Sequence, residues 1–326
     1  MFTPVTFKRN DFAKLASTLN LSSSFSFVPL KGGLINALYV LGRRKNSVVV
    51  RIYIRHKPLA DIAYEIEAMD FLHQNGVSTP KVWMINGNSI VNIGKYSAIV
   101  LNRINGKTIS LKKINRDQVI SMAKTVGKVH RIGESFPDKK ARVEWDLFDF
   151  QYDTHFKKKY TQKIKDSNKM QDKKLILEFF KNETTRLKGW LLKNKDKRKT
   201  FIHNDLRIDN FLFRQNGVVG LVDFDECLIG SPIADIASIY GQLPARFRST
   251  FLETYKSEFG IRVDMKLLHR LGLHYKLLLL KWIFSQYFKS LKSGDWKTYR
   301  GYVKQYIAFS IPGDAHYPKP RALPTV

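Results

Sequence analysis

Apolar and polar positions divide the chain into an alternating N-terminal part and a long helical part. In the first, Ser47-Val48-Val49-Val50-Arg51-Ile52-Tyr53 is β-branched and predicts a strand. It follows an extended run at 25–40 across Gly42-Arg43-Arg44-Lys45-Asn46, and the pair reads as a hairpin with a glycine-rich first turn at Gly32-Gly33. Residues 81–85 and 97–101 predict two further strands, for a five-stranded sheet. Phe12, Leu15 and Leu19 mark a short helix over 11–20. Ile62, Ile66, Met69 and Leu72 keep near-helical spacing over 60–75, with Gly76 stopping the helix and Pro80 following. Residues 102–106 read as a linker.

Beyond residue 110 the period is helical over 117–130, 173–192, 246–258, 264–292 and 295–308. Ser231-Pro232 starts another helix, with proline in its first turn. One β-like insertion breaks this series: Phe211-Leu212-Phe213, the turn residues Gln215-Asn216-Gly217, then Val218-Val219-Gly220-Leu221-Val222. The pattern predicts an α+β chain of two lobes. A small antiparallel β-sheet lobe spans 1–103, and a larger, mainly α-helical lobe spans 104–326.

Composition narrows the picture. A hydrophobic share of 44% is ordinary for a globular protein, and a single cysteine, Cys227, excludes an intramolecular disulfide framework. Residues 1–8 lack the layout of a secretory signal, and the apolar run at 277–284 is too short for a membrane span and is split by Lys281. A cytoplasmic location is the expectation. The net charge of +28 is high, and residues 151–200 carry sixteen Lys/Arg against six Asp/Glu. Lys157-Lys158-Lys159 and the cluster Lys193, Lys195, Lys197, Arg198, Lys199 are its densest parts. A solvated helix face accounts for such a run better than nucleic acid does, because no aromatic-interleaved or recognition-helix pattern accompanies it. The charge leaves room for weak association with anionic surfaces; specific nucleic-acid binding is not expected.

The candidate chemistry lies in and around the β insertion. Phe201-Ile202-His203-Asn204-Asp205-Leu206-Arg207-Ile208-Asp209-Asn210 is followed by Val222-Asp223-Phe224-Asp225. Asp205 can accept a proton from an attacking hydroxyl. Asn210 is far enough along to turn back and offer its amide oxygen to a metal, and Asp223 leaves the second strand as an anionic ligand. Phosphoryl transfer needs this set, because its demands are in-line positioning and neutralised charge. Singly, each residue reads equally as turn or cap chemistry; together they point to a kinase-type site. Glu65 and Glu67 lie on the 60–75 helix, and either could pair with Arg51. Asp235 reads either as a hydrogen-bond partner of the catalytic loop or as a first-turn acid favoured by the helix dipole.

The order of these features resembles the aminoglycoside phosphotransferase and choline kinase-like superfamily, whose members have a protein kinase-like fold. The resemblance covers roughly residues 28–240. It implies that Asp205 is the catalytic base, with the cation of Arg207 toward the transferring phosphate. It implies Asn210 and Asp223 as ligands of Mg2+, and ATP as phosphoryl donor. Gly33, Asn36 and Tyr39 match a nucleotide-covering loop of the form G-G-x-x-N-x-x-Y. Arg51 takes the place of the strand cation, Glu65 its helix partner, and the backbone of Leu101, Arg103 and Ile104 the adenine contact. Three positions depart from protein kinases. The strand cation is arginine instead of lysine, Arg207 stands two after the base, and the metal loop reads Asp-Phe-Asp, where Asp225 either adds a carboxylate near the metal or caps a turn.

The acceptor expected is a small molecule with a hydroxyl, a sugar or an amino alcohol. An aminoglycoside-type antibiotic is a second reading, and a polycation wants an acidic cleft. After Cys227 the acids are only Asp235, Glu253, Glu258, Asp264, Asp295 and Asp314. Tyr275, Trp282, Tyr287, Trp296 and Tyr299 could wall a quaternary ammonium, although ordinary helix core explains such a stripe more simply. A different class, an inactive kinase-shaped binding module, is disfavoured by the intact Asp205, Asn210 and Asp223.

Overall fold

The computed structural model describes residues 6–21, 25–30, 36–42, 47–137, 171–194 and 198–290. Five antiparallel strands form the N-terminal sheet: β1 (Phe27–Pro29), β2 (Ala37–Leu41), β3 (Val48–Ile52), β4 (Val91–Ile93) and β5 (Tyr96–Asn102). Their spatial order is β1-β2-β3-β5-β4. Side-chain parity sorts the sheet into two faces. Ala98 and Val100 of β5, with Val48, Val50 and Ile52 of β3, face the short helix α1 (Ala13–Thr18) and a cluster of Phe7, Phe12, Phe25 and Tyr39. Ile99 and Leu101 face the opposite way, toward α2 (Leu59–Gln74) and the main core. Arg51 shares the parity of Val49, so the strand period itself aims its guanidinium at α2 and the cleft.

The sheet has the predicted number of strands, but one member differs. Residues 81–85 are not a strand; they cross the end of β5 with a lone bridge, Val82 to Leu101. Pro80 and the Asn86-Gly87 turn, both residues at positive φ, cut the segment short. The fifth strand is β4, which pairs Val91 with Ala98 and Ile93 with Tyr96 across a tight turn at Gly94-Lys95. Gly94 has φ 58°, a conformation that glycine adopts without strain.

The C-terminal lobe contains α3 (Arg116–Gly133), α4 (Gln171–Lys193), α5 (Pro232–Gln242), α6 (Ala245–Phe259) and α7 (Met265–Ser290). Asn115 and Gln118 close a reciprocal capping box at the start of α3. Ser231 caps α5 ahead of Pro232. The observed helices lie within a few residues of the expected ones; the expected helix at 295–308 lies outside the described residues. Four short strands complete the lobe: β6 (Thr200–Ile202), β7 (Phe211–Arg214), β8 (Gly217–Leu221) and β9 (Leu228–Gly230). β6 pairs with β9, and β7 with β8 through the two-residue Gln215-Asn216 turn.

These strands sit where α3 allows. A Cβ on Gly133 would lie 2.7 Å from Phe201 Cβ, so the end of α3 meets β6 only because that position is glycine. Phe201, Phe211 and Phe224 are fully buried. Burial of an apolar side chain contributes roughly 1.5–3 kcal/mol, so three rings anchor both ends of the 201–211 segment and the turn at 223–225 in one core. Among the described residues no helix is long and apolar enough to cross a membrane.

Candidate active site

The loop after β6 carries Asp205, and α5 holds that loop. Asp235, buried in the first turn of α5, accepts the main-chain N–H of His203 at 2.8 Å on Oδ2 and that of Asn204 at 2.7 Å on Oδ1. Asn204 has φ 62°, a left-handed conformation these two bonds help to hold. The same carboxylate accepts from His130 Nε2 at 3.1 Å, and His130 Nδ1 accepts the Tyr255 hydroxyl at 2.8 Å. One helical turn on, Ser238 Oγ donates to Leu206 O at 3.1 Å. Another turn on, Gln242 accepts from Ile208 N–H at 3.3 Å and donates to Leu206 O at 3.4 Å. Asp235, Ser238 and Gln242 form a polar stripe on an otherwise apolar helix, and the whole stripe grips the catalytic loop.

Asp205 itself is held lightly. Tyr275 of α7 donates its hydroxyl to Asp205 Oδ1 at 3.3 Å. Burial pushes the Asp205 carboxyl up to about 6, against the opposing pull of His203 and Arg207 and with a further push from Asp223. Burial likewise raises the Tyr275 hydroxyl, reinforced by the Asp205 charge. Arg207, two residues on, forms a bidentate pair with Asp209, Nε to Oδ1 at 3.0 Å and Nη2 to Oδ2 at 2.6 Å.

Asn210 and Asp223 are brought together by the main chain. Val222 N–H donates to Asn210 O at 3.0 Å, which sets the start of the Asp223–Asp225 turn beside the end of the Asp205 loop. Asn210 Nδ2 donates to Asp205 O at 2.8 Å, so its amide oxygen is the atom left for a cation. Asp223 stands at φ 72°, and its carboxylate remains half-exposed. His203 Nε2 donates to Val222 O at 3.0 Å, and the ring lies 4.9 Å from that of Phe224, tying the two loops again.

The N-terminal lobe closes the site with charge. Arg51 Nη1 donates to Glu65 Oε1 at 2.8 Å and Nη2 to Asp223 Oδ1 at 2.6 Å. Burial works against the guanidinium charge, but Glu65, Asp223, Tyr53 and Asp225 outweigh it and hold the group well above its ordinary value. Glu65 is the helix partner; Glu67 lies exposed. Glu65 is fully buried and accepts two further donors, Tyr53 Oη at 2.9 Å and Lys57 Nζ at 3.1 Å. Asp225 is bound to Lys57 and to Asn36 Nδ2, the latter at 3.3 Å. Burial raises its carboxyl, yet Arg51 and Lys57 overcome that and hold it below the usual range. Leu101 is buried at the crossing between lobes, Arg103 reaches Ser47 Oγ at 3.5 Å, and Ile104 packs on Gly220 of β8. Gly33 lies outside the described residues, as do Lys157-Lys158-Lys159, Lys195 and Lys197.

A divalent cation fits this donor set. The described residues hold no cluster of three or more His, Cys, Asp or Glu side chains that would bind a metal by themselves. Mg2+ asks for less: it takes one or two protein oxygens and completes its shell with water and substrate phosphates. Asn210 Oδ1 and the half-exposed Asp223 supply such oxygens.

Sequence reasoning missed Lys57, Tyr53, and the His130–Tyr255 pair behind Asp235. For Lys57 and Tyr53 the pattern held no signal, because ion pairing between lobes leaves no periodicity. The α5 stripe left a signal that went unread beyond Asp235: three polar residues at helical spacing inside an apolar segment demand buried partners.

Comparison with known proteins gives the family and the fold. Residues 26–271 match the family model described as the phosphotransferase enzyme family. The chain belongs to that family. No curated protein matches the sequence. Among solved structures, an amicoumacin kinase in complex with AMP-PNP and Ca2+ superposes with TM-score 0.69 at 16% identity, covering 92% of this chain and 93% of that one. A microcompartment-associated aminopropanol kinase gives TM-score 0.70 at 18% identity over 90% and 94% of the two chains. A choline kinase from Cryptosporidium parvum gives 0.64 at 16% identity over 88% and 89%. At these identities the likeness shows the fold: the two-lobed, protein kinase-like α+β architecture.

Proposed function

We propose that this phosphotransferase moves the γ-phosphate of ATP, with Mg2+, to a hydroxyl of a small molecule, a sugar or an amino alcohol. One observation carries the reading: Asp205, Asn210 and Asp223 converge from two loops tied by Val222 N–H and His203 Nε2, with Arg51 on Asp223 from the opposite lobe. In this reading the first lobe, 1–103, covers the nucleotide, and Leu101, Arg103 and Ile104 line the adenine end. The second lobe, 104–326, supplies catalysis and the acceptor site.

Asp205 orients the acceptor hydroxyl and takes its proton, a task suited to a carboxylate whose affinity for protons is raised toward neutrality. Tyr275 fixes the carboxylate rotamer through its hydroxyl. Arg51 holds Asp223 in place and offers the remaining cationic edge to phosphate. Arg207 contributes positive potential near the transferring group while Asp209 limits its movement. Mg2+, held by Asn210 and Asp223, would neutralise charge on the phosphates.

Charge near the acceptor side favours a neutral or anionic molecule. Of the four described acids after Cys227, Asp235 is consumed by the catalytic loop, Glu258 pairs with Arg131 at 2.5 Å, Asp264 caps α7 through Lys266 N–H at 2.8 Å, and Glu253 is exposed on α6. Lys276, which follows Tyr275, is lowered to about 8 by burial and by the neighbouring charge of Arg248. Tyr275 faces Asp205; the side chains of Trp282 and Tyr287, and Trp296 and Tyr299 altogether, lie outside the described residues. A structural neighbour solved with GDP and kanamycin keeps an aminoglycoside-type acceptor as the second reading. Magnesium-dependent ATP consumption across sugars, amino alcohols, hydroxy amino acids and aminoglycosides tests the proposal. The expected result is turnover of a neutral or anionic hydroxyl compound; efficient turnover of kanamycin-like polycations alone would overturn the acceptor class.

A further inference from the structure

The Asp-Phe-Asp segment offers two carboxylates, and their surroundings differ. The Asp223 side chain is 46% exposed and makes its ion pair with Arg51 alone. The Asp225 side chain is 12% exposed, with Oδ1 on Lys57 and, at 3.7 Å, Arg51, and Oδ2 on Asn36. Lys57 Nζ also meets the main-chain oxygen of Asp225 at 3.1 Å and Glu65 Oε2 at 3.1 Å, and lies 5.3 Å from the Tyr53 ring centroid. Three segments far apart in the chain thus join at one carboxylate: the entry to β2, the loop between β3 and α2, and the turn after β8.

We propose that Lys57 is a positioning residue, a latch that docks the N-terminal lobe on Asp225, keeps that carboxylate off the metal and so sets the affinity for metal-bound nucleotide. This rests on the phosphotransfer reading of the same site. The charges support it. Arg51 and Lys57 stand against Glu65, Asp223 and Asp225, two positive and three negative, for a local net charge of −1. Without Lys57 the balance is −2, in a low-dielectric cleft that must admit an anionic polyphosphate. Asp225, held then by Asn36 and by Arg51 at 3.7 Å, would lose its shortest ion pair and be freer to turn toward Asp223 as a second hard anionic oxygen, which favours a free divalent cation over the metal–nucleotide complex.

The test uses the full-length variants Lys57→Met, Lys57→Arg, Asp225→Asn and Lys57→Met/Asp225→Asn, with Lys124→Met on the exposed side of α3 as the control for total charge. Two binding measurements need no turnover: calorimetric affinity for AMP-PNP with Mg2+, and Mn2+ binding to the nucleotide-free protein by electron paramagnetic resonance. Lys57→Met is expected to weaken AMP-PNP by about tenfold or more, the usual consequence of stripping one partner from a desolvated charge pair. It is also expected to tighten Mn2+ severalfold. Lys57→Arg should restore most of both effects, Lys124→Met should move neither, and the double variant should return Mn2+ affinity to the wild-type level. Where an acceptor is turned over, Lys57→Met should raise the nucleotide KM far more than it lowers kcat.

A variant of Lys57 that loses thermal stability while both affinities stay at wild-type values would overturn the latch. So would an Asp225→Asn protein whose Mn2+ binding collapses, since that makes Asp225 a metal ligand. Failure to find any acceptor would count against the phosphotransfer reading, while the two binding measurements would still decide the role of Lys57.

Discussion

The two sides of the cleft are built from opposite materials. On the nucleotide side, charge answers charge: Arg51 and Lys57 are threaded among Glu65, Asp223 and Asp225, with Arg51 and Glu65 buried, Lys57 and Asp225 partly buried and Asp223 at the solvent edge. On the acceptor side Asp205 has a single hydroxyl partner, and the loop beneath it is held by main-chain N–H groups and a helix stripe. Arg51 and Asp225 are held more firmly in their charged forms, whereas Asp205 is driven toward its neutral form. The difference suits the tasks proposed for the two sides. A phosphate-binding surface needs permanent charge with fixed positions, and a proton acceptor needs an affinity for protons close to the working pH.

The largest expected effect breaks the acceptor side. Asp205→Ala should lower kcat by about 10²–10⁴-fold while nucleotide affinity stays near wild type. A single-turnover assay beside AMP-PNP titration checks this, and a kcat within tenfold of wild type would remove Asp205 from the role. Asp235→Ala should come next, costing about 3–5 kcal/mol in denaturant unfolding, because it strips two N–H groups and an imidazole of their buried acceptor. Unchanged stability would show that the stripe on α5 is not what holds the loop.

Metal variants sharpen the contrast from the other side. Asp223→Ala and Asn210→Ala should both raise the Mg2+ concentration needed for nucleotide binding, Asp223→Ala the more, since an anionic ligand contributes more than an amide. Unchanged Mg2+ dependence in both would move the metal elsewhere.

Smaller effects concern protons. Activity should fall as pH drops through about 6, as Asp205 takes up its proton. Its folded value lies above the ordinary 3.8, so the native state prefers the protonated acid. That preference stabilises the fold fully below pH 3.8 and is lost as pH rises through about 6. Asp205→Asn should therefore unfold at higher denaturant than wild type at pH 8, with the gap closing toward pH 4. Tyr275→Phe removes a hydrogen bond that lowers the Asp205 value, so the acid limb of the rate profile should shift upward by a fraction of a unit, about twofold in rate at pH 6. A downward shift would reverse that assignment.

Much of this was legible from local pattern. The β-branched run at 47–53 predicts the strand whose two-residue period puts Arg51 on the cleft face, and helical spacing at 60–75 leaves Glu65 one of two candidates. Burial chose between them: Glu65 faces the guanidinium, Glu67 the solvent. The β7–β8 hairpin followed from its turn residues. The strand expected at 81–85 failed at its flanks. It reaches β5 only at the Val82–Leu101 bridge, because Pro80 and the Asn86-Gly87 turn bound it, while β4 pairs with the other end of β5 through a two-residue connection that costs little chain entropy. Lys57 was hidden for a different reason, since a loop lysine has no period and its partner lies far off in the chain.

The grip of Asp235 on His203 and Asn204 has a consequence in time. Loop amides commonly exchange with solvent through small local openings. These two point into a carboxylate that is itself packed against His130 of α3 and, through it, Tyr255 of α6. For either N–H to meet water, that joint between helices must part. In deuterium exchange the pair should therefore be as slow as the interior of α3, far slower than exposed Asp209 a few residues away: a catalytic loop that breathes only when the core does.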